Sequence, residues 1–104
     1  MKRYDKLVRD KIPEIIKADG KHCKTRVLSE SEMLKYLMAK LKEEVIELEN
    51  QPNAEEIADI MEVLMALTKE LGSSMEQVEQ VRLSKHTERG GFEKRILLEY
   101  VECR

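Results

Sequence analysis

The sequence predicts a mainly all-α fold: one domain over residues 1–104, built as a helical bundle completed by oligomerisation, with a small two-stranded β element near residues 23–28 and 95–102. Three observations lead there. Apolar residues recur at helical spacing through residues 34–48 and again through 57–71. Ser29, Asn53 and Ser74 are each followed three residues later by Glu or Gln, the pattern that opens a helix. Gly20, Pro52, Gly72 and the Gly90-Gly91 pair fall where those periodic stretches stop.

Taken in order, "YDKLVRDKIPEIIKADG" reads as an extended start and a short helix. Pro13 sits in the first turn, where its missing N–H goes unmissed, and Gly20 is the stop. In "HCKTRVLS", Cys23, Thr25 and Val27 alternate with Lys24 and Arg26, which predicts a short strand. Ser29 and Glu32 then open a long helix that runs to about Glu49 and is stopped ahead of Pro52. Asn53 and Glu56 open a second, ending near Gly72, and Ser74 and Gln77 open a third that runs to about Glu88. The short connection at residues 50–53 makes the two long helices antiparallel neighbours. The tail "EKRILLEYVEC" follows a Gly-Gly break and is rich in β-branched and aromatic residues, so it is assigned as the second strand.

Composition narrows the function. At 104 residues, 41% hydrophobic and 38% charged, the chain folds as one domain with a modest core that a second chain would extend. A net charge of −2 supplies no basic field for nucleic acid, and no apolar run reaches the roughly 20 residues of a membrane span. The start of the chain lacks the apolar core of a secretion signal, which together with Cys23 and Cys103 read as two free thiols predicts a cytoplasmic protein. His22 and His86 have no metal spacing and are assigned to the surface. Met33, Met38, Met61, Met65 and Met75 are assigned to core or subunit contact.

The acidic residues are less easily set aside. In the first long helix Leu34, Leu37, Leu41, Val45 and Leu48 share a stripe; Glu44 lies at its edge, Glu47 further round the same edge, and Glu43 nearly opposite. In the second helix Glu56 falls inside the stripe of Ile57, Ile60, Val63, Leu64, Leu67 and Leu71, with Asp59 at its border. Each helix thus offers a carboxylate pair at i, i+3 spacing. If the stripes meet, four carboxylates converge at a partly apolar boundary, where they must take up protons or share a cation. An oxygen-only set suits Mg²⁺ or Mn²⁺. Solvated helix faces account for Glu43, Glu49, Glu55 and Glu62, and Glu56 has a competing role as a capping-box glutamate.

These residues also carry a resemblance. "EEVIE" followed by "EIAD" resembles the acidic signature of the all-α nucleoside triphosphate pyrophosphohydrolases, which include MazG-type enzymes, dimeric dUTPases and phosphoribosyl-ATP pyrophosphohydrolases. "YDKLVRDKIPEII" and "KHTERGGF" resemble a MazG-like branch labelled phosphoribosyl-ATP pyrophosphohydrolase-like, so the resemblance spans nearly the whole chain. It implies a homodimer or homotetramer that hydrolyses a nucleoside triphosphate to monophosphate and pyrophosphate in nucleotide-pool cleansing. It further implies Mg²⁺ held by Glu44, Glu47, Glu56 and Asp59. Glu43 and Glu47 are the catalytic candidates. Lys85 and Arg89, four apart near the end of the third helix, and Arg9 and Lys11 are the candidates for binding phosphate. Two other functions are weighed against this one: the phosphoribosyl-ATP hydrolase of histidine biosynthesis, and a non-catalytic helical binding or regulatory module.

Overall fold

The structure, a computed structural model, describes residues 2–103. Among these residues four helices form: α1 (Ile12–Ala18), α2 (Glu30–Asn50), α3 (Ala54–Glu70) and α4 (Met75–Arg89). Among the described residues there is no strand. Residues 21–29 and 96–103 run without regular secondary structure, so neither segment expected as a strand, 23–28 or 95–102, is assigned as one. A strand exists only through its ladder, and an isolated two-stranded pair is marginal in water. No described helix is long and apolar enough to cross a membrane.

The helix ends follow from local chemistry. Ser29 N–H donates to Glu32 Oε1 at 3.0 Å, and the Arg26 guanidinium grips the same carboxylate through two bonds of 3.0 and 2.9 Å. The Arg26 and Ser29 donors together pull the Glu32 carboxyl down to about 2. Asn53 Oδ1 accepts from Glu56 N–H at 3.0 Å to start α3. Ser74 and Gln77 exchange backbone-to-side-chain bonds of 3.1 Å to start α4. At the far end of α3, Gly72 adopts φ +74°. Its N–H reaches Lys69 O at 3.0 Å while Ser73 N–H reaches Thr68 O at 3.0 Å, a Schellman closure that a residue with a Cβ resists.

The chain divides into two compact units, Met1–Ser73 and Ser74–Arg104. In the first, α2 and α3 run antiparallel through the three-residue link 51–53 and pack along their length. Leu37 of α2 and Val63 and Leu67 of α3 are its buried apolar residues, at 2%, 8% and 6% exposure, with Leu7, Met33, Leu41 and Ala66 against them. The buried side of α2 is rotated from the stripe read off the sequence. Leu34 and Val45 emerge toward solvent, whereas Lys40 and Glu44 turn inward. In α3, Glu56 and Ile60 are half-buried in line with Val63 and Leu67, as the helical phase predicts, while Ile57 and Leu64 are exposed.

The second unit consists of α4 and the tail that follows it. Val78, Val81 and Leu83 of the helix and Ile96, Leu97, Leu98 and Tyr100 of the tail are exposed.

With so few buried side chains, the α2–α3 seam should dominate stability. Leu37→Ala is expected to lower the unfolding free energy by about 2–5 kcal/mol in urea denaturation. Val27→Ala, at a residue 96% exposed, should stay within about 0.5 kcal/mol. Equal losses at the two positions would contradict the seam as the core.

Candidate functional site

Packing the seam brings carboxylates from both helices together. Glu44 of α2 and Glu56 and Asp59 of α3 each place one carboxylate oxygen within 4.8 Å of the others. The spacing on α3 is one helical turn, and Glu44 reaches the group because α2 turns it into the seam: its side chain keeps only 12% exposure. Glu56 contributes its N–H, not its carboxylate, to the Asn53 cap, so the competing capping-box role leaves its carboxylate unclaimed.

Electrostatically Glu56 is the strained member. Loss of solvent pushes its carboxyl upward, and the charges of Asp59, Glu47, Glu44 and Glu55 push the same way. Glu47 is exposed and stands outside the group of three, close enough to be felt by Glu56 but not converging with it. Among the described residues neither Glu47 nor Glu56 has an ion-pair partner.

The other acids are already served by cations. Lys40 Nζ lies 3.4 Å from Glu44 Oε1 and 3.7 Å from Glu43 Oε2. The segment ahead of α1 crosses the helix pair as a strap. Lys6 Nζ donates to Glu43 Oε1 at 2.8 Å, and Arg9 Nη2 donates to Asp59 Oδ1 at 2.7 Å, with Arg9 Nη1 3.9 Å from Glu62 Oε1. The hydrogen bond from Lys6 holds the Glu43 carboxyl below the usual range. Leu7 packs on the seam between these two ties. A cavity of about 320 Å³ opens between strap and helices, walled by Val8, Arg9, Lys40, Glu44, Asp59 and Val63 among others.

Of the residues picked out from the sequence, three of the four acids assigned to a metal converge, and Glu47 stays at their margin. Glu43 is corrected: expected to face away into solvent, it is half-buried and paired with the strap. The helical phase placed it opposite the apolar stripe, but a non-helical segment covers that side. Arg9 does reach the acids; Lys11 stands exposed at the start of α1. Lys85 and Arg89 lie one turn apart and exposed on α4, in the second unit. Two cations were missed. Lys40 carried a local signal, standing four residues before Glu44. Lys6 carried none, being 37 residues from its partner.

Three convergent carboxylates form an oxygen-only, anionic set that fits a hard divalent cation and suits neither zinc nor copper. Comparison of the chain with family models, curated proteins and solved structures gave no match.

The raised carboxyl of Glu56 fixes the sign of a pH effect. An acid whose folded-state value lies above its unfolded value costs stability once ionised, and that cost disappears below the unfolded value, where both states are protonated. Glu56→Gln should therefore raise the melting temperature of the metal-free chain at pH 7. The gain should fade as pH falls through the ordinary glutamate range, about 4.3. A lower melting temperature at pH 7 would show that Glu56 is not repelled by its neighbours.

Proposed function

We propose that the chain is a Mg²⁺-dependent nucleoside triphosphate pyrophosphohydrolase of the MazG-like, all-α kind, acting in cytoplasmic nucleotide-pool cleansing. One observation carries the reading: Glu44, Glu56 and Asp59, drawn from two antiparallel helices, converge to within 4.8 Å, and these are three of the acids that the resemblance assigns to the metal. Glu44, Glu56 and Asp59 would hold the ion, with Mn²⁺ as a substitute and Glu47 as an outlying fourth carboxylate. When bound there, the ion would offset the charge of the triphosphate and make water a stronger nucleophile.

The reaction adds water to the α-phosphorus and breaks its bond to the bridging oxygen of the β-phosphate, releasing monophosphate and pyrophosphate. The proton of the attacking water needs an acceptor. Glu47 is the better candidate, because it is exposed and unpaired among the described residues. Glu43 serves worse: the ammonium of Lys6 occupies it and keeps it a weak base. Arg9 and Lys40 provide the positive charge of the first unit beside the cavity, suited to phosphate oxygens. Lys11, Lys85 and Arg89 enter as phosphate ligands on the resemblance alone.

The homodimer or homotetramer belongs to the same proposal. Ile46, Ile57, Met61 and Met65, with the half-exposed Leu34, Met38, Val45 and Leu64, leave much of the α2–α3 surface apolar, suited to burial against a second chain. Light scattering should give a mass twice or four times that of one chain; a single-chain mass would remove the shared core.

A second reading, a non-catalytic helical binding module, has one observation in its favour: Lys6, Lys40 and Arg9 already balance three of the acids without a metal. Turnover separates the two. Incubation with a panel of nucleoside triphosphates and phosphoribosyl-ATP in Mg²⁺ should release pyrophosphate, stop on addition of EDTA, and fall about a hundredfold or more in Glu56→Gln. Release of single phosphates would contradict the bond assigned, and metal binding without turnover would favour the module.

A further inference from the structure

The strap supplies two of the three cations that face the acids, and it supplies them from outside the helices. Lys6 ties it to α2 through Glu43, and Arg9 ties it to α3 through Asp59. The Arg9–Asp59 pair is the more open of the two, with side chains at 53% and 40%. Exposed pairs of this kind hold weakly and exchange readily, because water screens them and each long side chain loses freedom in forming them. By contrast Lys40 is held at 18% exposure within the seam and sits on the same helix as its partners.

Resting on the metal-site reading above, we infer that Arg9 is an internal counter-cation which occupies Asp59 in the metal-free chain and is displaced by a divalent ion. Among the described residues, Asp59 is the one member of the convergent three that a strap residue grips. A guanidinium 2.7 Å from its Oδ1 takes up one lone-pair direction of the carboxylate and places a positive charge where a second cation must approach. The two cations compete for one anion. By linkage, whatever the ion loses by expelling Arg9, Arg9 loses in the presence of the ion. Once released from Asp59, the guanidinium stands at the wall of the cavity beside Glu62, and its planar fork matches two oxygens of a phosphate. Loading the site and arming a phosphate ligand are thus one event. The strap does not detach, since Leu7 on the seam and Lys6 on Glu43 still anchor it.

The test is a Mn²⁺ titration of the full chain, followed by the electron paramagnetic resonance of free Mn²⁺, with no substrate and no activity readout. Arg9→Gln removes the competitor and should tighten Mn²⁺ binding about three- to tenfold, while Arg9→Lys should stay within about twofold of the parent. Arg26→Gln is the charge control. Its partner Glu32 lies 12 residues before Glu44 on α2, about 18 Å along the axis, and beyond the reach of exposed charges at physiological salt. It should change the affinity less than about 1.5-fold. Unchanged or weakened binding in Arg9→Gln, with the parent still binding Mn²⁺, would overturn the exchange and leave the metal site standing. No binding by either protein would remove the metal site and the exchange with it. An equal gain in Arg26→Gln would show general charge rather than competition at Asp59, and would also overturn it.

Discussion

Everything in the first unit depends on the antiparallel contact of α2 and α3. Leu37 faces Val63 and Leu67 there, and burial of one such side chain favours folding by about 1.5–3 kcal/mol. That seam is also what turns Glu44, Lys40, Glu56 and Asp59 toward one another. One residue inserted into α2 between Leu37 and Glu44 would rotate that acid away from Glu56 and Asp59, because side-chain direction advances about 100° per residue. Hydrophobic phase and acidic convergence are therefore one geometric fact seen from two sides.

The convergence creates an electrostatic problem that the chain resolves in part. Carboxylates gathered at a half-buried seam repel, and the position of Glu56 in line with Val63 and Leu67 denies it the water that would screen it. Lysine and arginine side chains answer for Glu43, Glu44 and Asp59; Glu56 is left with the residual repulsion. Such an arrangement leaves the acids partly paired and not fully satisfied. On the metal-site proposal that balance is what reversible binding would need: with strong internal pairs no ion could enter, and with none the seam itself would be strained.

Stability and function press on the same few residues. The seam has little buried apolar area to spare, and apolar side chains remain exposed on α2, α3, α4 and the tail. A fold with so small a core gains from any partner that covers such surface. The strap adds Leu7 to the seam while its charged residues meet the acids, so the segment that completes the packing is also the one placed to answer the electrostatics.

What could be read from the chain alone was what adjacent residues decide. The starts of α2, α3 and α4 at Ser29, Asn53 and Ser74, and the stops at Gly20 and Gly72, rest on bonds spanning three to five residues. The alignment of Glu56 with Val63 and Leu67 needed only helical phase, and Lys40 beside Glu44 was equally accessible at i, i+4. Tertiary structure alone decided how far each helix rotates into the seam, which turns Lys40 and Glu44 inward and frees Leu34 and Val45. It also decided that Glu43 is half-buried under Lys6 and that Arg9 grips Asp59 across 50 residues of sequence. No periodicity encodes that strap, because its position comes from Leu7 finding the seam and two charges finding partners, contacts set by distance in space and not by spacing along the chain.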